Sequence, residues 1–411
     1  MQPLVDWIVS LQIPLVTEPV ARFLSHLIFA SIIAVAAPGS LVILTWLERK
    51  IIARIQDRIG PNRAGPFGLL QGFADMVKMF TKEDITPANA DRVPYNAAPG
   101  LSVISAIMLF AVIPFAPGFI GANLNVGVLY VIGIGGISTL AILIAGWSSN
   151  NKYALLGGFR VVAMMLTYEI PMVIALTAVV VAAGSMSFQA IVTAQSGLNW
   201  YIFSLPVAFI IFFFAGVAET GRSPFDLVEA ESEIVAGFHT EYSGIKFGMF
   251  MIGEYVHMFA LAFFAAVLFL GGWQIPFVDV TPTGPLGGLF GPLLGFIALN
   301  IKMGLFVFIM MWFRGTLPRF RIDHLQDLGW KFLVPVSIFL LIAVMVVVRL
   351  FAPADVSPVP GPLSGLGIVG EAIALLLVNI LVGAVSLFAV TRVARRSRSK
   401  GLRAVAAVDS L

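Results

Sequence analysis

The sequence predicts an all-α, polytopic membrane protein of about nine transmembrane helices, with an amphipathic surface helix in its first long loop. Three observations carry this. Hydrophobic residues make up 59% of the chain and charged residues 11%, against roughly 25% charged in an ordinary soluble domain. The apolar residues gather in nine runs, at about 20–47, 100–117, 128–147, 161–183, 201–218, 248–271, 289–313, 332–351 and 366–390, each suited to a helix crossing ~30 Å of hydrocarbon. Finally, 22 of the 25 Lys and Arg fall between runs one and two, after runs three, five and seven, and in the tail, so they share one side. By the positive-inside rule that side is cytoplasmic, which places a multi-pass chain in the cell membrane with its N-terminus outside and its C-terminus inside.

Residues 1–390 are expected to form a single transmembrane domain, because no soluble stretch is long enough for a second. Residues 391–411 form a basic tail, expected to be a disordered cytoplasmic arm touching anionic lipid. The net charge of +3 is scattered over span ends, which argues against a nucleic-acid partner. The chain has no cysteine, so it offers no disulfide and no thiolate ligand for an iron-sulfur cluster. His26, His239, His257 and His324 are not paired at metal-ligand spacing, so no metal site is expected. The N-terminus lacks the basic stretch and small-residue cleavage site of a removable signal.

Taken in order, the first element of interest is the loop from Glu48 to Pro99. Within it Leu69, Leu70, Phe73, Met76, Val77 and Phe80 fall on one helical face and Gln71, Asp75 and Lys78 on the other. That pattern is an amphipathic helix lying on the membrane surface or a neighbouring subunit, or packed on the chain's own loops. The loops on the opposite side are rich in Pro, Gly and Asn, which suits turns with little charge. No internal repeat is visible, which argues against a transporter built of inverted halves.

The richest segment chemically is Phe212–Glu254, which holds Glu219, Asp226, Glu229, Glu231, Glu233, Glu241 and Glu254, opposed only by Arg222 and Lys246. Ser223-Pro224-Phe225-Asp226 has the form of a helix start, with Ser223 as cap and Pro224 in the first turn. On such a helix Asp226, Glu229 and Glu233 share a face and Glu231 points away. Capping alone accounts for Asp226 as well as a functional role does. Like charges crowded beside a low-dielectric phase disfavour one another's ionised form, which suits the cluster to proton uptake. Glu169, ahead of Pro171, and Glu254, beside Tyr255 and His257, lie within apolar runs, where a carboxylate is costly and marks a proton path or a ligand chamber. Lys302, beside Asn300 in the seventh run, calls for a carboxylate partner or a neutral amine.

The stretches WLERKIIARIQDRIGPNRAGPFGLLQGFADMVKMFTKED, LTYEIPMV, AGVAETGRSPFDLVEAESEIVAGFHTEYSG, FGMFMIGEY and RGTLPRFRIDHLQDLGWKFLVP closely resemble the quinone-chamber (NuoH-type) membrane subunit of respiratory complex I, the proton-translocating NADH:quinone oxidoreductase. They cover the first eight runs and every loop on the basic side. The resemblance implies a subunit at the heel of the complex, in contact with the peripheral-arm quinone-site subunits, with neighbouring membrane subunits and with lipid. Quinone is then the substrate, this chain binds no cofactor, and the FMN and iron-sulfur clusters belong to partner subunits. It further implies that Arg49 and Arg58 lie near the tunnel entrance. Arg222, Asp226, Glu229 and Glu231 line the chamber, and Glu219, Glu254 and Glu169 continue an acidic path into the membrane. Glu48, Glu233, Glu241, Lys302 and Arg314 are further candidates. Members of this family usually stop after eight spans, so the ninth run is expected to be peripheral.

Three other readings stand beside this one. The equivalent subunit of a membrane-bound hydrogenase or ferredoxin-linked complex shares the acidic loop. A stand-alone ion transporter would use Lys302 and the buried acids, but matched halves are absent. A structural anchor has no use for a carboxylate such as Glu169 inside the bilayer.

Overall fold

A computed structural model of the chain describes residues 18–197, 199–226, 236–278, 280, 290–352, 362–363, 365 and 367–408. Within these the fold is all-α apart from one short hairpin. Helix α1 (Glu18–Ile55) has 38 residues, about 57 Å at 1.5 Å per residue. That exceeds the ~30 Å of hydrocarbon, so its final turns, with Glu48 and Arg49, extend toward the loop-bearing face. The amphipathic helix α2 (Gln71–Thr81) follows, then α3 (Arg92–Met108), which tightens into a 3-10 turn at Leu109–Val112. Strands β1 (Pro114–Ala116) and β2 (Phe119–Ile120) form an antiparallel hairpin. Helices α4 (Gly127–Ser148), α5 (Lys152–Ala183) and α6 (Phe188–Ala194) come next. The α5 start is fixed by Asn151, whose side chain accepts from the Tyr153 N–H at 2.9 Å.

The fifth expected run is broken. Leu205 leaves helical geometry and Pro206, which has no N–H to continue the preceding turn, opens a new helix. The run is therefore α7 (Tyr201–Ser204) and α8 (Pro206–Glu219). At 14 residues α8 is about 21 Å long, short of a full crossing. The expectation of nine full spans becomes, among the described residues, eight helices long and apolar enough to cross plus the shorter α8.

The remaining elements are α9 (Gly244–Phe269), α10 (Phe290–Thr316), α11 (Ile322–Asp327), a π-helical stretch at Leu328–Leu333, α12 (Val334–Phe351) and α13 (Gly367–Val408). Helix α9 is the core of the bundle: 78% of its most apolar window is buried, against 12% for the ninth run in α13. It packs on α3 and α10, while α5 packs on α4, α8 and α12, and α13 lies against α12 and α8. Gly253 allows the close approach of α9 to α3, since a Cβ there would collide with Ser102. Helix α13 continues past the ninth run as far as Val408.

Candidate functional site

The short α8 carries Glu219 in its last turn, and the way that helix ends sets the site. Gly221 takes φ +62; its N–H bonds to the Ala218 carbonyl at 3.0 Å and the Arg222 N–H to the Val217 carbonyl at 3.4 Å. This is a Schellman turn, in which glycine at the left-handed position satisfies the last carbonyls and redirects the chain. The redirected chain dives inward: Thr220, Arg222 and Phe225 are buried. Phe225 sits edge-on to Tyr168 at 5.1 Å and near Phe320 at 6.2 Å. The Phe320 N–H donates to the Pro224 carbonyl at 3.1 Å. The expected helix start at Ser223-Pro224 is therefore not formed: Ser223–Phe225 make a turn in which the Phe225 N–H bonds to the Arg222 carbonyl at 2.8 Å. Burial of Phe225 in this aromatic pocket overrides the capping signal. Asp226 ends this described stretch, half-buried. Glu229, Glu231 and Glu233 lie outside the described residues.

Arg222 is the centre of a buried charge cluster. Its Nη1 donates to Glu48 Oε2 at 2.6 Å, its Nε lies 3.2 Å from Glu254 Oε1, and its guanidinium stacks over the Tyr255 ring at 4.1 Å. The other Glu48 oxygen accepts from Arg314 Nη1. Two acids thus offset two guanidiniums. Burial alone disfavours the Arg222 charge, but Glu48 and Glu254 outweigh it and hold its pKa above the ordinary arginine value.

Inward from this cluster run two small adjoining cavities. The first, of about 40 Å³, is lined by Glu254, Glu219, Thr220, His239 and His257 among others. The second, of about 20 Å³, is lined by Glu219, His257, Glu169 and apolar side chains of α4, α5 and α9. Even the smaller has room for a water, which needs about 10–15 Å³. Glu219 Oε1 stands 3.5 Å from His257 Nε2, both side chains being buried. Glu169 is the 18th residue of α5, about 26 Å from that helix's start. His239, on the turn before α9, is buried, and burial pushes its imidazole pKa down to about 4. The three acids singled out inside the apolar runs and at the end of α8 therefore meet around one line of cavities.

The other candidates are placed differently. Arg49 pairs with Asp75 of α2 at 2.7 Å, and Arg58 is exposed just past α1, its Nε donating to Gln56. Helix α2 leaves Phe73, Val77 and Phe80 exposed and has no buried residue, so among the described residues no loop covers its apolar face. Glu241 accepts from Asn151 Nδ2 at 2.6 Å, and its carbonyl accepts from the Tyr95 hydroxyl at 2.7 Å. It braces the starts of α3 and α5, apart from the cavities. Among the described residues Lys302 meets no carboxylate: its Nζ donates to the carbonyls of Leu270, Gly272 and Gln274 at 2.6, 2.9 and 2.6 Å and lies over the Trp200 ring. The end of α9 leaves these carbonyls without helical partners, and the ammonium satisfies them. Sequence reasoning gave no role to His257. Its position three residues after Glu254, hence on the same helical face, was the available signal. Among the described residues no three His, Asp or Glu side chains gather to hold a metal.

The fold and site define a polytopic α-helical membrane protein that keeps several charged residues inside its bundle. The NADH dehydrogenase family profile matches residues 28–345. The H subunit of the NADH-quinone oxidoreductase of Dehalococcoides mccartyi (strain CBDB1) is 46% identical over 299 residues, which cover 73% of this chain and 80% of that protein. The chain belongs to the NADH dehydrogenase family, and within it to the NuoH type.

Proposed function

We propose that this chain is the membrane subunit of a proton-translocating NADH:quinone oxidoreductase that walls the quinone chamber and begins the proton path out of it. In this reading the chain sits in the cell membrane with its basic loops cytoplasmic. The peripheral-arm quinone-site subunits dock on that face, and neighbouring membrane subunits and lipid surround the bundle. Electrons come from FMN and iron-sulfur clusters in the partners, and this chain binds quinone and handles protons. Arg49, Arg58 and the exposed apolar face of α2 border the entrance. Arg222, Asp226, Glu229 and Glu231 belong to the wall of the quinone chamber and its loop, with Glu48 and Arg314 fixing Arg222 and Glu233 extending the acidic loop. Protons pass by Glu254, Glu219 and Glu169.

The observation that carries the proposal is the row of two water-sized cavities that links Glu254 to Glu219 and Glu169 from the foot of the Arg222 cluster. Reducing a quinone takes up two protons and transiently adds negative charge, and each pKa unit by which that charge shifts a nearby carboxylate is worth about 1.4 kcal/mol. Quinone turnover can thus change the protonation of the acidic loop and, through it, of the path. The similarities favour this reading over the hydrogenase-type rival, because the family model is that of NADH dehydrogenase and the 46% identical relative is an NADH-quinone oxidoreductase subunit.

The test replaces Glu229 and Glu231 together with Gln in the assembled complex. Quinone reduction and proton pumping should fall together, while NADH oxidation by a soluble artificial acceptor is unchanged. Wild-type quinone reduction and pumping would reject the proposal.

A further inference from the structure

The two cavities have different linings apart from two side chains. Among the described residues, Glu219 and His257 are the ones that line both. A proton that passes from the outer cavity to the inner one passes beside this pair. Glu219 Oε1 lies beside Gly135 of α4, and the imidazole next to it can accept a proton at one ring nitrogen and donate one from the other. His257 Nε2 faces Glu219 Oε1 at 3.5 Å, and both side chains are more than nine-tenths buried.

We infer that His257 is the proton relay between the two cavities, an assignment that rests on the proton path proposed above. Glu219, protonated from the Glu254 side, gives its proton to His257. The products are a Glu219 carboxylate and an imidazolium. The imidazolium then releases a proton through a water in the inner cavity to the Glu169 carboxylate, which leaves His257 neutral and Glu169 protonated. Glu219 is reprotonated from the outer cavity, and His257, left with its hydrogen on Nε2, resets by a ring turn or by proton exchange with the cavity water, after which the pair is back in its starting state with one proton moved. The titratable groups that share a cavity with this imidazole are Glu219 from α8, Glu169 from α5, Glu254 from its own helix and His239 from the preceding turn.

The experiment uses the purified complex in proteoliposomes, with rates expressed per assembled complex from NADH oxidation by a soluble acceptor. His257→Leu and His257→Gln should each lower quinone-coupled turnover and pumping by about a hundredfold, the lower end of what a positioned proton carrier contributes. Gln is the informative replacement, since it nearly keeps the volume and can hydrogen-bond but takes up no proton. The double variant His257→Gln with Glu219→Gln should fall no further than the more impaired single one, because the two act in series. Wild-type pumping in His257→Gln, with pumping lost in Glu219→Gln, would overturn the relay and leave the acidic path standing. Wild-type pumping in Glu219→Gln would remove the path itself.

Discussion

Arg222→Met tests the charge cluster that separates the loop from the cavities. The side chains of Arg222 and Glu48 are 2% and 4% exposed, so removing the guanidinium leaves a carboxylate almost without water. Breaking such a buried pair costs about 3–5 kcal/mol. Glu48 keeps its bond to Arg314, which argues for the lower end. The Glu254 side chain is 22% exposed, so its lost pairing adds at most about 1 kcal/mol after solvent screening. A loss near 3 kcal/mol is about a hundredfold in an equilibrium constant. The assay is the half-life of the detergent-purified complex at fixed temperature, read as retained subunit association, and it should shorten at least tenfold. The double variant Arg222→Met with Glu48→Leu should recover most of that half-life, because an apolar pair of similar volume replaces a buried ion pair at little cost. Arg314, whose side chain is 28% exposed, can turn to water. A single variant as durable as wild type, or a double variant no better than the single, would refute this reasoning.

Three further outcomes follow from the geometry. Lys302→Met should weaken the complex, because it strands three buried carbonyls at about 1–3 kcal/mol for each one left unsatisfied, yet quinone turnover per assembled complex should stay near wild type; selective loss of pumping would contradict its structural role. Gly253→Val should lower the yield of assembled complex at least severalfold on a native gel, since α9 can no longer approach Ser102 of α3. His239 has a folded pKa depressed to about 4 from an ordinary 6.5, so folding stability falls as pH drops from about 6.5 toward 4, where the unfolded chain takes up the proton first. A His239→Gln variant should lose less stability than wild type across that acid window and match it above pH 7, as read by inactivation half-life.

How far the sequence carried differs from residue to residue. The membrane class and most spans were legible because hydropathy is a local, additive signal, and Glu169 and Glu254 stood out because a carboxylate inside an apolar run costs too much to be placed there for packing alone. The break at Leu205-Pro206 was written in the proline, but a continuous apolar run hid it. Pairings were not legible. Arg222 and Glu48 are 174 residues apart, and Arg314 and Glu48 are 266 apart; nothing in local spacing announces a contact of that range. For the same reason the surroundings of Lys302, expected to hold a carboxylate partner or to leave a neutral amine, could not be named, and among the described residues the carbonyls just past α9 accept from it. Local reading also favoured a helix at Ser223-Pro224, where the pocket for Phe225, formed by Tyr168 and Phe320, decides the conformation. The shared lining of Glu219 and His257 exists only once α8 and α9 are side by side.

The most direct measurement is of proton uptake per NADH oxidised in proteoliposomes carrying Glu169→Gln, a substitution in the inner cavity and midway along α5. If the buried acids are the route by which quinone reduction moves protons, coupled turnover and pumping both fall severalfold while the soluble-acceptor rate stays intact. Pumping and quinone reduction at wild-type rates would contradict it.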